Sequence, residues 1–488
     1  MKTRTNTYPL CCCGGMITQF SDTPGFVLAA QSSGIGKTTI AAALCTALSR
    51  SGHFVQPFKT GPDFVDPTYL TLASGRQCVN LDGFPNPELI PFFYSERCRA
   101  RQGCPRADIA VVEGVMGLYD GLGPDGVYST AWTARELGLP VILLVDARAA
   151  ATSVAAVARG FATLEPLAPE IVGVIANRVS GEAHANLISD ALARFAGIPL
   201  LGWLPNLRGL TLSSRHLGLI PALERRETGE ILDSLASLVE ESVNIKEIVS
   251  RARVPKGRYL EPDILTRLPL PREGRPSRVA VARDNAFCFH YAENWELLRA
   301  LGCEVLFTSP LCDDSIPPLT DLLILPGGYP EEFADSLSEN AGYIESVREF
   351  AHRGRIYAEC GGMMYLTRGI EYNGRRVPMA GIIDAEAFMT TALRRFGYVE
   401  ASVSRDNIMF RRGERFKAHE FHYSETRGAV SDVFSVRRAS RENDVWTDGF
   451  TDREATNLLA TYMHINFWSC PDAARRVVKF ARIAADIS

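Results

Sequence analysis

The chain has 488 residues, 46% of them hydrophobic and 22% charged, with a formal net charge of −4. This length exceeds what one hydrophobic core supports and predicts two or three domains, while the near-neutral charge gives no general attraction for nucleic acid. No apolar run is long enough to span a bilayer, and the opening MKTRTNTYPLCCCGGMITQF lacks the apolar stretch of a secretory signal, so a cytoplasmic protein without a membrane partner is expected. The twelve cysteines are scattered, with no paired C-x-x-C units to cage zinc, and fit a reducing compartment. Cys11, Cys12 and Cys13 belong to a stretch, residues 1–25, expected to be a disordered tail.

Phe26–Ala30 reads as a buried parallel strand, followed by a polar loop, Gln31 to Gly36, and a helical pattern from Lys37. This is the setting of a phosphate-binding loop, in which glycines let backbone N–H groups close on phosphate oxygens at a helix N-terminus. Gln31 stands where the G-x-x-x-x-G-K-[ST] pattern has glycine. Ser33, Gly34, Gly36, Lys37, Thr38 and Thr39 are candidate nucleotide ligands, with Lys37 on the β/γ-phosphates and the Thr38 hydroxyl on Mg²⁺.

Short strands then alternate with helices to about residue 220, predicting a mostly parallel sheet. The strands are Phe54–Lys59, Ile109–Glu113, Val141–Val145 and Ile171–Ala176; the helices are Thr38–Ser49, Ala149–Phe161 and Ala183–Phe195. Three polar clusters sit where strands end, the ligand-binding edge of open α/β sheets. Lys59, Asp63 and Asp66 form a turn that suits a phosphate-facing amine and hard metal ligands, or else an ordinary solvated Asp/Pro turn. Glu113 ends an apolar strand before glycines, as a Mg²⁺ ligand beside nucleotide phosphates would. Asn177 could read a nucleobase edge or cap a turn. Residues 226–253 read as helix and close a domain spanning 26–253, and the Pro/Gly/Arg-rich stretch 254–277 reads as a linker.

A second α/β series, 278–488, begins with RVAVARD and continues through CEVLFTS, DLLILPGG and GRIYAECGG. The fold class is therefore α/β, two domains, each a mostly parallel sheet flanked by helices. Cys360, between an apolar strand and two glycines, has the setting of a nucleophile elbow, where the following helix is expected to lower the thiol pKa. Leu325–Pro330 could supply an oxyanion hole, and His464, beyond an apolar strand, is the candidate base. His419 and His422 compete for that role; spaced by three in a strand-like context, they lack the helical i, i+4 face of a zinc pair.

Glycine-flanked Cys360 with PGGYP upstream resembles a class I glutamine amidotransferase domain. In that family's usual triad a Glu follows the His by two positions; here Asn466 stands there, which resembles the branch that works with a Cys–His pair. The phosphate-loop half resembles the dethiobiotin-synthetase-like ATPases. The two in this order, with KTGPDFVDP, NLDGF (Asn80–Phe84), EGVMGLYDG, SSRHLGL (Ser213–Leu219), ARDNAFCFHY, LPGGYPEEFA, AECGGMMYL, HEFHYS and TYMHINF, resemble the cobyrinic acid a,c-diamide synthase family from about Phe26 to the C-terminus.

The resemblance implies ATP- and glutamine-dependent amidation of the a- and c-acetates of a tetrapyrrole, cobyrinate or hydrogenobyrinate, through an acyl-phosphate. Cys360 would attack glutamine and His464 would shuttle its proton; Thr38, Asp63 and Glu113 would hold Mg²⁺, Lys59 would neutralise transferring charge, and Asn177 would lie at the nucleotide. The two sites should face each other across a passage for ammonia. Sirohydrochlorin, nickel-sirohydrochlorin and siroheme are the alternative acceptors, since Thr60 and the Tyr69-Leu70 pair depart from the commoner corrinoid-type wording. A non-enzymatic ATP-binding regulator and a CTP-synthase-like amidation are further alternatives. A homodimer is one assembly such an enzyme could form.

Overall fold

The computed structural model describes residues 17–101, 103–206, 226–262, 275–441, 443–452 and 457–485. Cys11–Cys13 and Ser213–Leu219 lie outside the described residues. The expected tail and linker are not wholly irregular. Strand β1 (Ile17–Gln19) pairs antiparallel with a strand, Arg258–Leu260, that lies inside the stretch read as linker. Each supplies the other's backbone partners, which neither run has alone.

The first unit is a seven-stranded parallel sheet. Its strands are β2 (Gly25–Ala30), β3 (Val55–Thr60), β4 (Val79–Leu81), β5 (Ile109–Glu113), β6 (Val141–Asp146), β7 (Ile171–Asn177) and β8 (Leu200–Trp203), in the order β4-β3-β5-β2-β6-β7-β8. Strands β2 and β3 are buried along their whole length, as a sheet covered by helices on both faces requires. Five of these strands lie within one residue of their sequence-predicted limits. The three-residue β4 and four-residue β8 are too short to stand out. The helix expected over 226–253 is two, Arg226–Ser242 and Ile245–Arg251, because the Asn244 side chain caps the second by accepting from the Glu247 N–H.

The second unit opens after β9 (Arg258–Leu260) with β10 (Arg278–Ala282), β11 (Glu304–Thr308), β12 (Leu322–Leu325) and β13 (Arg355–Glu359). Then come β14 (Gly369–Tyr372), β15 (Arg375–Pro378), β16 (Ala385–Met389), β17 (Arg395–Val403), β18 (Arg415–His422), β19 (Ser424–Gly428), β20 (Phe434–Arg438), β21 (Val445–Asp448), β22 (Phe450–Thr451) and β23 (Leu458–Thr461). Its main sheet, β11-β10-β12-β13-β23-β22, is parallel except at the β22 edge. Two four-stranded sheets, β15-β14-β16-β19 and the antiparallel β18-β17-β20-β21, accompany it. The second of these reaches the first unit: from β17 the Tyr398 hydroxyl donates to Asp82 at 2.8 Å, and from β18 the Lys417 ammonium donates to the Phe84 carbonyl at 3.1 Å. One hydrophobic cluster also runs between the units, where Phe92 and Phe93 pack on Trp468. Among the described residues no helix is long and apolar enough to cross a membrane.

Candidate active site

The loop after β2 lies at the carboxyl edge of the first sheet, near its middle. Gly36 holds a φ of 89°, a left-handed conformation that glycine adopts without strain, and the helix Lys37–Arg50 starts from it. Side chains brace the loop from below. Asn177 Nδ2 donates to the Ile35 carbonyl at 2.7 Å, and the Arg178 guanidinium donates to the Gly34 carbonyl at 2.9 Å. Gln31 accepts from the Asp146 N–H at 3.3 Å, so the residue that departs from the glycine pattern ties the loop to the next strand. Asn177 Oδ1 also accepts from the Arg178 N–H at 2.8 Å, which fixes the orientation of the amide whose Nδ2 holds the loop. Ser33 and Gly34 face solvent, while Lys37 and Thr39 are buried and Thr38 is half-buried.

Register brings the charged groups together. Lys59 and Leu28 both stand beside Glu113 across the β3–β5–β2 ladder. The Lys59 ammonium lies 2.5 Å from Asp66, 2.9 Å from Glu113 and 3.9 Å from Asp63. The Thr38 hydroxyl donates to the same Glu113 oxygen at 2.7 Å, and the Lys37 ammonium donates to the Met116 carbonyl at 2.6 Å. The second Glu113 oxygen is buried and, among the described residues, has no hydrogen-bond partner. Burial pushes the Glu113 carboxyl up to about 7, against the pull of Lys59. Burial and then the Lys59 charge push Lys37 down to about 8. Burial also works to lower Lys59, but Asp66, Glu113 and Asp63 outweigh it and hold its pKa above the ordinary value. The unpartnered Glu113 oxygen beside a hydroxyl and two further carboxylates is a hard-oxygen donor set that fits Mg²⁺ shared with nucleotide phosphates.

In the second unit Cys360 directly follows β13 with a φ of 46°, the strained backbone of an elbow. Its N–H donates to Thr461 O at 2.7 Å, so the parallel neighbours β13 and β23 bring the Cys360 turn and the segment leading to His464 to one sheet edge. A Cβ on Gly361 would stand 3.0 Å from the Gly328 nitrogen, and one on Gly327 would stand 2.4 Å from His464 Cε1. Both glycines are required for the loop Leu325–Pro330 to close over the pair.

The thiol is not activated in the way expected from the elbow alone. Burial, aided by the Glu331, Glu359 and Glu420 carboxylates, pushes the Cys360 pKa above its ordinary value. The short helix behind it does not overcome burial beside these acids. His419 and His422 lie on strand β18, without a helical face. His419 stacks on His464 with centroids 5.0 Å apart, and burial followed by the His464 charge keeps His419 well below the ordinary imidazole value. Asn466 accepts from the Trp468 N–H at 3.0 Å and caps a short turn, so it does not serve the histidine.

The loop after β3 joins the two centres. Asp63 and Asp66 hold Lys59, while Phe64 between them lies against His464, with ring centroids 5.0 Å apart. Phe64 also packs on Phe289, Tyr291 and His419. Asn80, in the NLDGF stretch, holds the loop by donating to the Gly61 and Asp63 carbonyls at 2.9 and 2.7 Å. Neither Phe64 nor Glu359 stands out by spacing, although the signal that singles out Glu113, an acid ending an apolar strand, is present at Glu359 too.

Two family profiles match the chain. One, described as a CobQ/CobB/MinD/ParA nucleotide binding domain, covers residues 26–219, and one described as a CobB/CobQ-like glutamine amidotransferase domain covers residues 278–471. Among similar proteins, the cobyrinate a,c-diamide synthase of Syntrophotalea carbinolica is 40% identical over 467 residues, 94% of this chain and 99% of that protein. Those of Salmonella typhimurium and Caldanaerobacter subterraneus are 38% and 36% identical, over 93% and 92% of this chain and 98% and 97% of theirs. The chain belongs to the cobyrinate a,c-diamide synthase family. Its members are glutamine-hydrolysing carbon–nitrogen ligases, built from a nucleotide-binding unit and a glutamine amidotransferase unit.

Proposed function

We propose that this protein converts the a- and c-acetate side chains of cobyrinate or hydrogenobyrinate into primary amides, using ATP and glutamine. The observation that carries the reading is the Gly61–Asp66 loop, whose acids belong to the phosphate-loop cluster and whose Phe64 touches His464. A segment shared by a nucleotide site and a glutaminase site suits an enzyme that must hand ammonia from one to the other.

A carboxylate is a poor acyl donor, so an acetate oxygen of the tetrapyrrole attacks the γ-phosphate of ATP and ADP leaves, giving an acyl-phosphate. The phosphate-loop amides and Lys37 hold the triphosphate, with Ser33, Gly34, Gly36 and Thr39 along the same loop. Thr38, Asp63 and Glu113 would hold Mg²⁺, which supplies charge neutralisation at the phosphate oxygens. Lys59, fixed by three carboxylates, keeps those acids in place and offsets the charge of the transferred group.

In the second site His464 takes the Cys360 proton as sulfur attacks the glutamine amide carbon. The C–N bond breaks, His464 returns the proton to the departing ammonia, and water hydrolyses the γ-glutamyl thioester to glutamate. Backbone N–H groups of Leu325–Pro330 would receive the oxyanion. Ammonia crosses past Phe64 and displaces phosphate from the acyl-phosphate.

The test follows product mass with ATP, Mg²⁺ and glutamine, offering cobyrinate, sirohydrochlorin and siroheme in parallel. Two successive acid-to-amide conversions on cobyrinate support the reading. Turnover confined to a siro-type ring overturns the choice of acceptor, and glutamine hydrolysis without amidation of any ring overturns the acceptor class.

A further inference from the structure

The amidotransferase unit lacks an acid two residues after its histidine, and the side chain found there, Asn466, is spent on capping a turn. The histidine is nevertheless not left without a carboxylate. Glu359, the residue immediately before the nucleophile, places one carboxylate oxygen, Oε2, 3.4 Å from His464 Nδ1. Among the described residues, Nδ1 has no hydrogen-bond partner.

The other Glu359 oxygen is firmly held. Oε1 accepts from the Tyr357 hydroxyl at 2.5 Å and from the Ile465 N–H at 3.1 Å. The second of these bonds comes from the residue next to His464, so the carboxylate is anchored to the very segment it would orient. The carboxylate is buried, and its neighbours on that side are apolar or neutral: His419 is held in the neutral form against one face of the imidazole, and Phe64 packs on it from the first unit. A carboxylate 3.4 Å away in such surroundings is a strong group for fixing which nitrogen carries the proton.

We propose that Glu359 is the positioning residue of the glutaminase site, holding the His464 proton on Nδ1 so that Nε2 is free to take the proton of Cys360. It completes a Cys–His–Glu set with the acid supplied from the nucleophile's own strand instead of from behind the histidine. The contact shortens as the imidazole becomes imidazolium, since the charge that develops there is the one the carboxylate attracts. The inference rests on the Cys360–His464 reading of the glutaminase site.

The decisive variant is Glu359→Gln in the full-length protein. Tyr357 and Ile465 both donate to the same position, so the glutamine side chain settles with its carbonyl oxygen there and turns its NH₂ towards His464 Nδ1. A donor facing Nδ1 reverses the tautomer and leaves Nε2 protonated and unable to act as base. Glutaminase kcat should then fall by about 10² to 10⁴, the upper figure being the loss seen when the orienting acid of a triad becomes an amide. KM for glutamine should change by less than about threefold, since the residue does not touch the substrate. Glu359→Asp, which keeps the charge, should recover at least about tenfold of the kcat lost by the amide.

Amidation driven by added ammonium salt should proceed at the wild-type rate in both variants, which also reports that the fold is intact. Tyr357→Phe is a milder second variant: it frees one anchor of Oε1 and should lower glutaminase kcat by a smaller factor with the protein fully folded. Wild-type kcat in Glu359→Gln overturns the proposal, as does an aspartate variant no better than the amide. Cys360→Ala run alongside separates the two levels. If that variant still hydrolyses glutamine, the Cys360–His464 reading fails; if it is inactive while Glu359→Gln is normal, only the role of Glu359 fails.

Discussion

Replacing Phe64 with alanine tests whether the two sites work as one enzyme. The ring lies 5.0 Å from His464, 5.1 Å from Tyr291, 5.5 Å from His419 and 5.6 Å from Phe289, centroid to centroid. A fully buried Phe→Ala change costs about 3–5 kcal/mol, and this half-buried ring on a unit boundary should cost about 2 kcal/mol, too little to unfold either unit. The space vacated exceeds the roughly 30 Å³ that a water molecule occupies, so solvent gains a route to the point where ammonia leaves His464. Ammonia that meets water is protonated and lost, and enclosure is what normally prevents this. In Phe64→Ala the ratio of glutamate released to amide formed should therefore rise from about one to about three or more, while ammonium-driven amidation keeps its wild-type rate. The assay counts both products in one reaction, glutamate enzymatically and amide by mass. A ratio that stays at one in a folded variant would refute the assignment of Phe64 to the passage.

Cys360→Ala should abolish glutamine-dependent amidation and leave the ammonium-driven reaction intact; loss of both would make Cys360 a structural residue. Because burial raises the Cys360 pKa, the free enzyme should show no thiolate absorbance for this residue at pH 8, measured as the difference between wild type and Cys360→Ala. Binding of Mg-ATP should strengthen as pH rises through about 7, where Glu113 becomes a carboxylate, and weaken above about 8, where Lys37 loses its proton. Lys59 faces these two groups and is held above its ordinary value, so it keeps its charge across that window, and titration calorimetry should find the optimum between the two values. Glu113→Gln should remove the lower limb.

Much of the parallel framework is legible because its signal is local. Strands β2, β5 and β6 are continuous apolar runs that a doubly covered sheet demands, and glycine-rich breaks at Gly34, Gly36 and Gly361 mark where the backbone must turn. Glu113 and Cys360 are conspicuous for the same reason, as polar residues ending apolar strands. The two four-stranded sheets built from β14 to β21 are not legible in this way. Their strands are part-exposed and not continuous apolar runs, and β16 pairs with β19 and β17 with β20 across intervening strands, so no local run declares the sheets.

Residue order alone pointed to two α/β units, a phosphate-loop pattern, Cys360 as candidate nucleophile and His464 as candidate base, since each rests on periodicity or on a few adjacent residues. Only the tertiary structure decided what those residues do for one another. It put Lys59 among Asp63, Asp66 and Glu113, set Phe64 of the first unit on His464 of the second, and turned Glu359 towards that histidine while Asn466 capped a turn. Burial then reversed the expectation for Cys360, raising its thiol instead of lowering it, and raised the Glu113 carboxyl as well. The Lys59–Glu113, Phe64–His464 and Glu359–His464 contacts join positions tens to hundreds of residues apart, and the desolvation that tunes them exists only once both units have closed around the site.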